Sequence, residues 1–165
     1  MGSNKIKEMM FCGLAMAIVF IMTVFISIPI GQFGYVNVGD GGVLLFSTFL
    51  HPFFAFLGAG IGSAMAELYL GYSQYAIFTF LIKGFEGLIV SIFFHFLKNR
   101  IQYVSFVIAI VWMILGYYLT DALLYGYFIV ALGGIGFNAI QGFISLMIAL
   151  LLHPILGKIK NKSNT

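Results

Sequence analysis

The stretch 76–97, AIFTFLIKGFEGLIVSIFFHFL, decides the fold. Apart from Lys83, Glu86 and His95 it is almost wholly apolar, and at about 1.5 Å per residue it reaches across the ~30 Å hydrocarbon core of a bilayer. The rest of the chain agrees. Of its 165 residues 62% are hydrophobic and 8% are charged, and the mean hydropathy is +1.09. About a quarter of the residues of a soluble domain are charged, so eight Lys or Arg and five Asp or Glu cannot cover one of this size. The composition describes an integral membrane protein and excludes disordered and collagen-like chains. The lone Cys12 leaves no disulfide framework and no cysteine zinc site.

Working outward from that stretch, apolar runs mark six segments near 8–28, 39–52, 53–71, 76–97, 101–125 and 134–156. The expected architecture is an all-α integral membrane bundle of six transmembrane helices, forming one domain over 1–165. Val43 to Leu70 is too long for one crossing and is broken at His51-Pro52, so it is read as two helices. Six crossings put both termini on one side. Lys5, Lys7, Lys98, Arg100, Lys158, Lys160 and Lys162 fall at the ends or in the fourth-to-fifth connection, whereas 29–38, 71–75 and 126–133 hold no Lys or Arg. Positive charge marks the cytoplasmic side, so both termini are expected there. The net charge of +3 is thus an orientation signal and not a nucleic-acid patch. Lys5 and Lys7 before an apolar run resemble a signal peptide, but the run is long and no small-residue cleavage site follows it.

An ionisable side chain inside a crossing costs about 2.5 to 3.5 kcal/mol, which makes each a functional candidate. Asp40 is expected to open the second helix at the outer level, with Glu67 and Asp121 one turn from the outer ends of the third and fifth. Lys83 should lie about 10 Å deep in the fourth, with Glu86 one turn further on the same face. Asn138 and Gln141 add a second i,i+3 pair, and Tyr117 and Tyr118 join from the fifth helix. Polar groups from five helices converge on the outer half of the bundle, which describes a solute pocket open to the exterior and closed below by apolar packing. The competing reading is structural: Lys83 and Glu86 can neutralise each other, and Asp40 or Asp121 can cap or anchor a helix.

His51, His95 and His153 fall at cytoplasmic helix ends, two of them in Leu-His-Pro strings, where the helix dipole and a stop signal explain them better than a metal does. Small residues form two flanks. Gly58, Gly62 and Ala66 on the third helix suit packing inside the bundle, while Gly13, Ala15 and Ala17 on the first leave a partner protein as a live alternative. Glycines 39, 41 and 42 are read as an adaptable mouth of the second helix, with service in a turn as the alternative.

These residues resemble the substrate-binding S component of an energy-coupling-factor (ECF) vitamin transporter, over most of the chain. The resemblance is carried by 34–40 (GYVNVGD), 60–64 (GIGSA) with Glu67 and Gly71-Tyr72, and 83–87 (KGFEG). Residues 116–121 (GYYLTD) and 137–141 (FNAIQ) complete it. The family more often has Asp where Glu67 stands, Glu where Asp121 stands, and Pro where Gly136 stands. The resemblance implies a six-helix vitamin-capture subunit of a bacterial cell membrane that binds its cargo through Asn37, Asp40, Glu67, Lys83, Glu86, Tyr117, Asp121, Asn138 and Gln141. It also implies docking to a transmembrane coupling subunit, the T component, through the small-residue pair Gly13 and Ala17. Two cytosolic ATPases would supply the energy, since the chain has no Gly-x-x-x-x-Gly-Lys phosphate loop. No cofactor and no catalytic residue are implied.

Cargoes of this branch include hydroxymethylpyrimidine, pyridoxine and riboflavin. Four acids against one base disfavour strongly anionic cargo, so a neutral or weakly basic heteroaromatic, hydroxymethylpyrimidine or pyridoxine, is expected. Two rival classes are weaker. An intramembrane enzyme lacks a Ser-His or paired-Asp arrangement, and a stand-alone proton-coupled transporter would need alternating access without an evident inverted repeat.

Overall fold

The computed structural model describes residues 3–31, 34–97 and 99–162, with side chains over 5–31, 34–97 and 99–158. Six helices dominate: α1 (Ser3–Phe25), α2 (Gly39–Ser47), α3 (Pro52–Leu70), α4 (Ala76–Phe96), α5 (Val104–Tyr125) and α6 (Phe128–Lys162). Between α1 and α2 the chain forms an antiparallel hairpin, β1 (Ser27–Pro29) and β2 (Tyr35–Asn37), in which Ser27 faces Asn37 and Pro29 faces Tyr35. Five helical stretches are long and apolar enough to cross a membrane: Lys5–Phe25, Pro52–Leu70, Ser73–Phe96, Asn99–Tyr125 and Phe128–Lys158. This is a multi-pass membrane protein.

The second expected segment is the exception. Its helix ends at Ser47, and nine residues rise only about 14 Å. The Thr48 hydroxyl donates back to the Leu45 carbonyl at 2.7 Å, and Phe49 N–H bonds the Phe46 carbonyl at 3.0 Å, a tightening that closes the helix. His51 is extended and caps the start of α3, with Pro52 in the first turn, so it does not end the preceding helix as expected. At the other end, α6 starts before the expected Asn138 segment and continues through Pro154 to Lys162. Residues 128–133, read as part of a connection, lie inside this helix. Pro154 is not the stop signal expected, because a long membrane helix absorbs the loss of one N–H.

Left-handed glycines end α3 and α5. Gly71 (φ 87°) and Gly126 (φ 75°) adopt a conformation that side chains resist, and Tyr72 N–H reaches back to the Glu67 carbonyl at 2.8 Å. That turn brings α4 directly against α3.

Close packing depends on glycines at the contacts. A Cβ on Gly62 would stand 2.7 Å from the Met16 carbonyl of α1, and one on Gly60 would stand 2.7 Å from the Phe80 carbonyl of α4. The third-helix stripe is therefore spent inside the bundle, as expected. Glycines 39, 41 and 42 serve the same end and not an adaptable mouth: Cβ atoms there would strike Thr23, Ile148 and Val19 or Met22. On α1, Cys12, Ala15, Val19 and Thr23 face inward, while Gly13 and Ala17 face out. Ala15 thus does not belong to the outer flank.

The apolar core sits toward the end that carries the termini. Leu44, Val90, Phe106, Ala109, Ile110 and Ala149 join α2, α4, α5 and α6 there. Lys5, Lys7, Arg100 and Lys158 are exposed; Lys98 and the side chains of Lys160 and Lys162 lie outside the described residues. Among the described residues no three metal-ligating side chains cluster. His51 meets His95 edge to face, and His153 bonds the Tyr103 hydroxyl at 3.0 Å.

Replacing Gly62 by Leu should lower stability by about 1 to 3 kcal/mol through overpacking against the α1 backbone. Leu at Gly13, where a Cβ meets nothing within 4 Å, should leave thermal unfolding in detergent unchanged.

Candidate functional site

The α4 face that carries Lys83 and Glu86 also carries Thr79, and Tyr75, the residue just before α4, continues it at helical spacing. The buried carboxylates of Asp40, Glu67, Glu86 and Asp121 all bond to this face. Lys83 and Glu86 are 2% and 0% exposed, and Asp40 of α2 is 1% exposed, so three charged groups share one dry layer. The Lys83 ammonium donates to Asp40 Oδ1 and to Glu86 Oε2, the latter at 3.2 Å, and lies 5.2 Å from the centroid of the Tyr117 ring.

Asp40 does not stand at the mouth, as the sequence suggested. It lies about two helical turns from the start of α4, because the hairpin dips between α1 and α6 before α2 begins. Gln141 of α6 makes this geometry: its Nε2 donates to Asp40 Oδ2 at 2.9 Å, and its Oε1 accepts from Asn37 N at 2.8 Å and Nδ2 at 3.3 Å. Asn37 Oδ1 in turn accepts from Gly39 N–H at 2.8 Å. Hairpin, α2, α4 and α6 are thereby joined in one buried hydrogen-bonded chain.

Above this layer, at the hairpin end, lies a cavity of about 30 Å³, room for about two water molecules. Gly34, Tyr35 and Asn37 line it from the hairpin, Glu67 from α3, Tyr117 and Asp121 from α5, and Asn138 and Gln141 from α6. Tyr72 and Tyr75 complete the wall. Two carboxylates belong to this wall, and α4 tethers both. Tyr75 donates to Asp121 Oδ1 at 2.8 Å and Thr79 donates to Glu67 Oε1 at 2.8 Å, while the Thr79 and Tyr117 hydroxyls bond each other at 3.1 Å. The Tyr35 and Tyr72 rings meet at 5.1 Å, joining the hairpin to the turn after α3.

Of the nine expected site residues, Asn37, Glu67, Tyr117, Asp121, Asn138 and Gln141 line the cavity, while Asp40, Lys83 and Glu86 form the layer beneath it. Tyr118 packs on Phe128 instead. Sequence reasoning passed over Tyr35, Tyr72, Tyr75 and Thr79. The last two were detectable, since 75, 79, 83 and 86 fall on one helical face.

A family model described as "ECF-type riboflavin transporter, S component" matches residues 3–158. The chain belongs to this family of S components. The earlier resemblance is therefore borne out, and the family is a transporter component and not an enzyme. A protein of Pyrococcus woesei described as uncharacterized is 39% identical over 109 residues, covering 64% of this chain and 70% of the relative. The thiamine precursor transporter HmpT of Lactococcus lactis subsp. cremoris is 23% identical over 158 residues, covering 94% and 91%. Among solved structures, the S component of a bacterial ECF transporter superposes with a TM-score of 0.76 at 22% identity, covering 94% of this chain and 98% of that one. This last likeness establishes the fold of the S component.

Lys83→Met should cost this S component about 3 to 5 kcal/mol, because it strands two buried carboxylates. The combination of Lys83→Met with Asp40→Asn and Glu86→Gln removes every charge of the layer and should recover much of that loss in thermal unfolding.

Proposed function

We propose that this S component captures a small, water-soluble vitamin or vitamin precursor, hydroxymethylpyrimidine or pyridoxine by preference, at the hairpin end of the bundle. The observation that carries the reading is the cavity itself: a tyrosine-rich wall with carboxylates and amides, set in an otherwise apolar membrane protein and closed beneath by a charged layer and an apolar core. The hairpin end then faces the outside of a bacterial cell. Both termini and the exposed Lys5, Lys7, Arg100 and Lys158 face the cytoplasm, in accord with the positive-inside rule. In this reading the chain crosses six times, with α2 and the hairpin together making the short second passage.

The lining favours ring-shaped cargo with several hydrogen-bonding groups. It holds four tyrosines, two amides and a third from Asn37, and among the described residues no Lys, Arg or His that would pair with a phosphate or carboxylate. The relative named as a thiamine precursor transporter supports hydroxymethylpyrimidine. The family description keeps riboflavin as the second reading, although its three-ring system demands a larger expansion of the cavity. A cavity this small means that Tyr35, Tyr72 and the hairpin move aside as cargo enters. Transport itself requires a T component and two ATPases, with Gly13 and Ala17 on the outward flank of α1 as the docking pair.

Calorimetric titration of the detergent-solubilised protein with hydroxymethylpyrimidine, pyridoxine, riboflavin and pantothenate tests this. One of the first two should bind one-to-one, and Asn138→Ala should weaken it at least tenfold by leaving ring polar groups unpaired. Binding of pantothenate alone, or of none of the four by a folded sample, would reject the reading.

A further inference from the structure

Glu67 is 5% exposed and lines the cavity. Oε1 accepts from Thr79 and the Tyr35 hydroxyl lies against the carboxylate, yet among the described residues no donor stands at ordinary hydrogen-bond geometry to Oε2. An unpaired buried carboxylate oxygen is costly, and native structures rarely tolerate one without a purpose. Among the described residues one ammonium is deeply buried, and it offers no relief. Lys83 is held between Asp40 and Glu86 in the layer below, so its charge is already shared by two acids. Among the described lining residues no cation stands beside Glu67 and Asp121.

Resting on the vitamin-capture reading, we infer that Glu67 is the specificity-determining residue of the site, and that it selects cargo by accepting from an exocyclic amine beside a ring nitrogen. Such an edge supplies the donor that Oε2 lacks. A carboxylate takes an amine of this kind as Glu and Asp take the exocyclic amine of cytosine, and a protonated ring nitrogen adds a charge-assisted bond. Thr79 fixes the other oxygen, and Thr79 is itself bonded to Tyr117, so the carboxylate is held in register with an aromatic wall. Hydroxymethylpyrimidine carries this edge; pyridoxine and riboflavin carry no exocyclic amine. Phosphorylated forms of any of the three would meet two carboxylates and are rejected.

The test uses wild-type protein and Glu67→Gln, titrated with hydroxymethylpyrimidine and with its analogue in which hydrogen replaces the amine. Wild type should bind the amine-bearing ring at least tenfold more tightly than the analogue. In Glu67→Gln that preference should collapse to within about twofold, while the analogue binds as it does to wild type, which also reports an intact fold. Equal affinity of wild type for the two rings would overturn the inference, as would a preference that survives Glu67→Gln. A folded Glu67→Gln protein that binds neither ring would also overturn it, because Glu67 would then hold the ring itself and not read its amine. Wild type that binds pyridoxine or riboflavin in preference would overturn the role of Glu67 and leave vitamin capture standing; wild type that binds no vitamin would overturn both.

Discussion

The ammonium of Lys83, buried between Asp40 and Glu86, is the interaction on which the remaining architecture depends. A lone cation in this layer would be prohibitive, and two carboxylates without it would be worse. Because one acid comes from the next turn of α4 and the other from α2, satisfying the charge fixes α2 against α4. The second oxygen of Asp40 then orients Gln141, and Gln141 orients Asn37. One charge thus sets the depth at which the hairpin enters the bundle. It also explains why α2 is short: its first turn already lies deep in the protein, so nine residues and a turn complete the passage.

The second constraint is distance between helices. In lipid, apolar contact alone gives no net hydrophobic gain, so helices gain by approaching closely and by hydrogen bonding. Gly60 and Gly62 on α3, and Gly84 and Gly87 on α4, allow backbones and rings to meet where any side chain would collide. A hydroxyl adds a further tie: Ser91 of α4 donates to the Leu50 carbonyl, just before α3, at 2.6 Å. This tight lower bundle contrasts with the hairpin end, where tyrosines and carboxylates leave space.

Much of this was legible in the sequence because the membrane penalises polarity so strongly. Apolar length gave the long helices, basic residues marked one end, and the buried acids pointed to the polar layers. What escaped was governed by three-dimensional pairing. Asp40 follows a glycine-rich loop and reads as a mouth residue until Lys83 claims it. The glycines around it read as freedom, whereas they answer to Thr23 and Ile148 across the interface. Pro154 and Gly133-Gly134 read as boundaries, although a long helix tolerates both. Tyr35 and Tyr72 were lost among nine tyrosines, since nothing in their local sequence distinguishes a cavity wall from an interfacial anchor.

One contact gives the molecule an optical handle. Trp112, its single tryptophan, donates its indole N–H to the Ile82 carbonyl at 3.0 Å and lies edge-on to Phe85. Ile82 immediately precedes Lys83, so the only strong fluorophore in the protein is wired to the backbone beneath the cavity. Any sliding of α5 against α4 alters that indole's polarity and its emission, with no label attached.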